Sequence, residues 1–125
     1  MEVALGQLKV SIPQYEANLR QIVTRLKATG ARLVFAPTTP VPTQCVWRYA
    51  GEEKPFNEAA VRVMKQMGVD VNDVAAFARE HAEQLQIPLT VHYTPAGYTK
   101  LAEKVAESVR APLDAPRAIQ ATRSP

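Results

Sequence analysis

Few residues in this sequence could do covalent or acid–base chemistry. There are two histidines, His81 and His92, and one cysteine, Cys45. His92 stands in the run His92-Tyr93-Thr94-Pro95-Ala96-Gly97-Tyr98, immediately before a helix start marked by a capping threonine and a proline at the first helical position. A histidine there can serve as a general base, but a base activates only a nucleophile within its reach and works best when a carboxylate fixes its tautomer. Cys45 lies in a proline-rich loop with no activating residue beside it and reads as an ordinary thiol. Without a second cysteine it can form neither an internal disulfide nor a C-x-x-C metal pair, so no metal and no cofactor is expected, and a reducing compartment is the simplest setting. His81 falls on an apolar helical side with Phe77 and Leu85 and reads as structural. Asp73 could lend a carboxylate from the end of a strand, but helix capping accounts for it more simply.

These residues need elements to position them. Ser11 and Gln14 have capping-box spacing, and Tyr15, Leu19, Ile22, Val23 and Leu26 then recur at helical intervals up to Gly30. The apolar run 32–36, closed by Pro37, predicts a buried strand. A second helix carries Phe56, Ala60, Val63, Met64 and Met67 on one side, with Gly68 past its end and a short strand at 69–71. The Met64 and Met67 pair reads as core packing. Asn72 and Asp73 are candidate caps for a third helix bearing Val74, Phe77, Ala78 and Leu85, and Pro88 breaks the chain. Thr94 and Pro95 open the last helix, which should turn Tyr98, Leu101, Ala102, Val105 and Val109 inward and stop before Pro112. Four helices, two strands and a third candidate strand at 2–5 predict an α/β fold with a short parallel sheet over residues 1–110, and a disordered tail over 111–125.

The proline-rich segment 37–55 leaves the C-terminal end of the first strand, where open α/β sheets bind ligands. Thr38 and Thr39 would border a cleft there, or form a structural turn. Trp47 and Tyr49 would line an acyl pocket, or cover the sheet edge.

Composition narrows the partners. The chain has 125 residues, 46% of them hydrophobic and 22% charged, and a formal net charge of +3 with its basic residues dispersed among acidic ones. Dispersed charge argues against nucleic acid as a partner. No apolar run is long enough for a membrane span, and residues 1–10 lack a signal-peptide core, so the expected location is cytoplasmic.

Six pieces of the sequence, taken in order over about positions 13 to 109, resemble the later part of the SGNH/GDSL hydrolases. They are Tyr15-Glu16-Ala17-Asn18-Leu19-Arg20; Arg25-Leu26-Lys27-Ala28-Thr29-Gly30-Ala31; Phe35-Ala36-Pro37-Thr38-Thr39-Pro40-Val41-Pro42; Asn57 with Ala59 and Ala60; Gly68-Val69 with Val71-Asn72-Asp73; and His92 to Tyr98. The resemblance implies part of a flavodoxin-like three-layer α/β/α sandwich that hydrolyses esters, of an acyl group or a carbohydrate, through serine, histidine and aspartate. It makes His92 the catalytic histidine. The family's aspartate lies three residues earlier, where this chain has Leu89, and neither Thr90 nor Val91 can replace it. The Gly-Asp-Ser-Leu surroundings of the serine are absent. The chain is therefore expected to match the C-terminal half of such an enzyme, to be inactive alone, to take an ester substrate only if an N-terminal half completes it, and to self-associate through apolar surface at Leu33, Phe35, Val69 and Val71. The alternative is a non-catalytic α/β binding or interaction domain.

Overall fold

The computed structural model describes residues 10–114; the candidate strand at 2–5 and the tail residues 115–125 lie outside the described residues. Helix α1 (Ile12–Lys27) begins as the spacing predicts, with the Ser11 hydroxyl accepting from the Gln14 amide at 3.3 Å. Gly30, at φ 78°, makes the turn after it. Strand β1 (Val34–Phe35) follows, then helix α2 (Lys54–Gln66), Gly68 at φ 67°, and strand β2 (Asp70–Val71). The strands pair in parallel, Val34 opposite Asp70 and Phe35 opposite Val71, and the Asn72 amide adds one more bond to the Phe35 carbonyl at 2.8 Å. Both strands are shorter than their apolar runs, because ladder pairing extends only as far as both chains run side by side between the Gly68 turn and the loop after Phe35.

The third predicted helix is divided. Helix α3 (Val74–Glu80) is capped by Asp73, whose carboxylate accepts from the Ala76 amide at 3.0 Å. At His81 the backbone leaves helical geometry (φ −111°, ψ 13°), and helix α4 (Ala82–Leu85) follows. Asn72 is not the cap. It is buried, and its Nδ2 donates to the Lys104 carbonyl at 2.7 Å and the Ser108 hydroxyl at 2.6 Å on the final helix, α5 (Pro95–Asp114). That helix passes the expected stop and carries Pro112 within its last turn. A proline so near a helix end removes one backbone donor and leaves little helix beyond it to bend.

The described residues thus form a mixed α/β fold, mostly helical, with a two-stranded parallel sheet. Its core has two centres. Val23, Val63, Met64 and Val69 form the first, joined by half-buried Leu19, Leu33, Phe35 and Met67. Polar ties back this packing from α1 to the region of α2: Arg62 with Glu16, Arg20 with Gln66, and Lys27 with the Met67 carbonyl. The second gathers Ala78, Leu85 and Tyr93, with Phe77 and Leu101 against them.

Two expectations about apolar surface need correction. Val69, Leu33 and Phe35 are not left open, because α1 and α2 bring the first core centre over them; Val71 and Val34 remain exposed. Conversely, Tyr98, Val105 and Val109 on α5 are exposed, at 51%, 40% and 50%, where periodicity turned them inward. Periodicity marks an apolar stripe, but burial needs neighbours on every side, and the described residues cover this stretch only in part, the Tyr93 ring standing edge-on to Tyr98 at 5.8 Å. No helix of the described residues is long and apolar enough to cross a membrane.

Candidate active site

Two segments meet beyond the C-terminal ends of the strands. The first is the loop leaving β1. Asn57 on α2 clamps its start, taking the Thr38 amide on Oδ1 at 2.9 Å and giving Nδ2 to the Thr38 carbonyl at 2.8 Å. Further along, the Gly51 amide reaches the Val41 carbonyl at 3.0 Å, so residues 41–51 close on themselves as a compact surface loop. Glu53, buried to 4% exposure, braces that closure by accepting from the Val41 amide at 3.1 Å. Gln44 and Trp47 hold φ near 60° within the loop, and Trp47 is 85% exposed. It does not cover the sheet edge.

The second segment, residues 86–93, carries His92. Gln86 and Tyr93 pair as an antiparallel bridge, and the Ile87 amide donates to the His92 carbonyl at 2.9 Å. Thr90 holds the turn: its hydroxyl donates to the Ile87 carbonyl at 3.0 Å and accepts from the His92 amide at 3.1 Å. Thr94 then closes the segment onto α5, accepting from the Gly97 amide at 3.0 Å while its own amide donates to the Leu85 carbonyl at 2.9 Å. The fit is tight enough to require glycine at position 97, where a Cβ would stand 2.4 Å from the Leu85 carbonyl oxygen.

Gln86 joins the two segments. Buried, its Nε2 donates to the Thr90 carbonyl at 3.0 Å and to the Pro40 carbonyl at 3.4 Å. Tyr93 joins them too. Burial raises its phenol above the ordinary tyrosine range, the nearby Thr39 hydroxyl acts in the opposite direction, and Tyr98 and the Glu53 charge raise it further. Its hydroxyl nonetheless finds no partner of hydrogen-bond geometry among the described residues, and neither does Oε1 of Glu53.

The predicted site residues sit on these segments. Thr38 is exposed, Thr39 is half-buried beside Tyr93, and His92 is exposed in the loop before α5. Among the described residues no carboxylate pairs with His92, and its imidazole makes no hydrogen bond there. Leu89 is 52% exposed at φ 64°. Ser11 caps α1, and Ser108 donates to the Val105 carbonyl at 2.9 Å; neither is a free nucleophile beside His92. Asp73 is occupied by capping. His81 is structural: its Nδ1 lies 2.8 Å from the Phe77 carbonyl and its ring centroid 4.4 Å from that of Phe77. No group of three or more His, Cys, Asp or Glu among the described residues could hold a metal. By itself the arrangement presents an imidazole that can exchange a proton with a bound molecule.

Asn57, Glu53 and Gln86 position these loops, and only Asn57 figured in the sequence reading, as part of a motif. Glu53 lies in a stretch without helical or strand period and Gln86 at the end of the expected third helix, and no local pattern marks either of them.

No protein-family model matches the chain, and neither does any curated protein. A solved crystal structure is similar to it, with a TM-score of 0.60 and 25% sequence identity, over 88% of this chain and 58% of that one. The chain therefore spans little more than half the length of that structure.

Proposed function

We propose that this chain is the histidine-bearing part of an SGNH/GDSL-type ester hydrolase, with a flavodoxin-like three-layer sandwich as its complete architecture, and that it hydrolyses no ester by itself. The observation that supports this reading best is the placement of His92. It lies in the loop before the capped last helix, and its segment is anchored on the loop leaving β1, the edge where catalytic groups of open α/β sheets gather. The backbone at Leu89 adds to it. This is the position of the family's aspartate, and its φ of 64° is one that Asp and Asn tolerate well and leucine does not.

In this reading His92 would take the proton from a serine and return it to the leaving alcohol, while Thr38 and Thr39 border the ester. The serine and the oxyanion donors would have to come from outside the described residues. A base without a nucleophile contributes little, because triad members act as a unit.

The test is hydrolysis of a short-chain nitrophenyl ester by the chain at neutral pH. Release no faster than in buffer is expected. Turnover that His92→Ala abolishes would overturn the claim of inactivity and call for a nucleophile within the chain, with Cys45 the first to replace. Turnover that survives His92→Ala would remove His92 from the chemistry.

A further inference from the structure

The two most exposed large apolar side chains among the described residues are neighbours, Val46 at 66% and Trp47 at 85%, and Tyr49, two residues on, is half exposed. All three belong to the loop between β1 and α2. Val46 and Trp47 are the central pair of a turn that the Arg48 amide closes onto the Cys45 carbonyl at 3.3 Å. Trp47 takes the third position of that turn at φ 64°, where glycine or asparagine is usual, so a bulky ring is held there against backbone strain. Below the tip the loop is fastened. The Glu52 carboxylate pairs with Arg48 and accepts from the Tyr49 amide at 3.3 Å, the Glu52 amide donates to the Tyr49 carbonyl at 3.1 Å, and the Gly51 amide reaches Val41. A strained residue that gains no burial in the fold points to use outside it.

We propose that the Val46–Trp47–Tyr49 tip docks on the surface of a phospholipid bilayer, seating its two rings among the headgroups. At about 150–250 Å² for a whole aromatic side chain, the three residues together show on the order of 400 Å². That is about half of the roughly 800 Å² that each partner commits to a stable protein interface. A lipid surface makes no such demand. Tryptophan and tyrosine settle there singly, with the ring toward the acyl chains and the N–H or O–H in the hydrated layer. The charge nearby suits it as well. Arg48 is matched to Glu52, whereas Lys54 forms no ion pair among the described residues and lies along Gly51 at the base of the loop, where a Cβ would stand 3.3 Å from its Cε. Its ammonium can meet lipid phosphate. His92 takes no part, so this surface stands or falls separately from the hydrolase reading.

Trp47 is the chain's single tryptophan, so its fluorescence reports on the tip directly. Vesicles of equimolar phosphatidylcholine and phosphatidylglycerol are added to the whole chain. The emission maximum is expected to move to shorter wavelength, acrylamide quenching to fall about twofold or more, and the chain to sediment with the vesicles. Trp47→Ala is expected to lower the partition onto vesicles about tenfold, the effect of withdrawing one large apolar side chain from contact. Emission unchanged by vesicles, or equal sedimentation of a folded W47A, overturns the proposal. So does emission that is already at short wavelength without lipid and moves to longer wavelength on dilution, since a second copy of the chain then covers the tip. If W47A loses the helical circular dichroism of the parent, Val46→Asn decides: partition reduced about threefold or more upholds the surface, and unchanged partition overturns it.

Discussion

The two core centres are built on different principles. Around Met64 every buried side chain is apolar, and the polar ties to Arg20, Lys27 and Arg62 lie at the surface. Around Tyr93 the packing is thinner and mixed with buried polar groups, including the Gln86 amide and a phenol without a partner. The first arrangement draws its stability from removing hydrocarbon from water. The second gives up some of that to set the loop bearing His92 against the loop after β1. Stability and positioning are thus divided between two parts of the described residues.

Met64→Ala should show the contrast most strongly. Met64 is 1% exposed at the heart of the first centre, and its truncation is expected to cost about 2–5 kcal/mol in denaturant unfolding. A loss well below about 1 kcal/mol would mean that this centre is not the main source of stability. Gly97→Ala probes the second centre. The new methyl must displace the Leu85 carbonyl that receives the Thr94 amide, at a cost of about 1–3 kcal/mol. NMR shifts should change across residues 85–98 and stay fixed around Val23 and Met64; the reverse pattern would undo the division.

Leu89→Asn should act in the opposite direction. A left-handed backbone strains leucine by about 1–2 kcal/mol and asparagine less, so the variant is expected to gain roughly 1 kcal/mol, read as a higher unfolding midpoint. Destabilisation would show that the Leu89 side chain, although half exposed, contributes more by contact than its backbone costs.

Tyr93→Phe should have the smallest effect at neutral pH, because the hydroxyl it removes has no partner to lose. Its signature lies in alkali. The folded phenol is raised, chiefly by burial, so the folded state holds its proton where the unfolded chain, with a pKa near 10, gives it up. Stability is then fully present below about pH 10 and falls as pH rises through the folded value. Tyr93→Phe should flatten that fall, and unfolding curves from about pH 9 upward compare the two proteins. Tyr15, also raised by burial, leaves a residual slope in both.

Much of the local structure was legible in the sequence. The Ser11 cap, the glycine stops at Gly30 and Gly68, the parallel pair of short apolar runs and the Thr94–Pro95 start of α5 each follow from the few residues around them. Backbone geometry and hydrogen-bond caps act over a turn of chain, so nearby residues suffice to specify them. The placement of His92 before a helix was legible for the same reason.

What covers each face was not. Periodicity in α5 sends Tyr98, Val105 and Val109 inward, and the described fold leaves them largely exposed; of the strand residues expected to be bare, Leu33, Phe35 and Val69 are covered by α1 and α2 and only Val71 stays exposed. Nor could the sequence show that Gln86 would reach Pro40, that Glu53 would be buried with one oxygen unanswered, or that Asn72 would serve α5 while Asp73 alone capped α3. The contacts of Gln86 with Pro40, of Glu53 with Val41 and of Asn72 with Lys104 and Ser108 span from 12 to 46 positions along the chain. Their identity depends on how the helices close over the sheet, which no local pattern encodes.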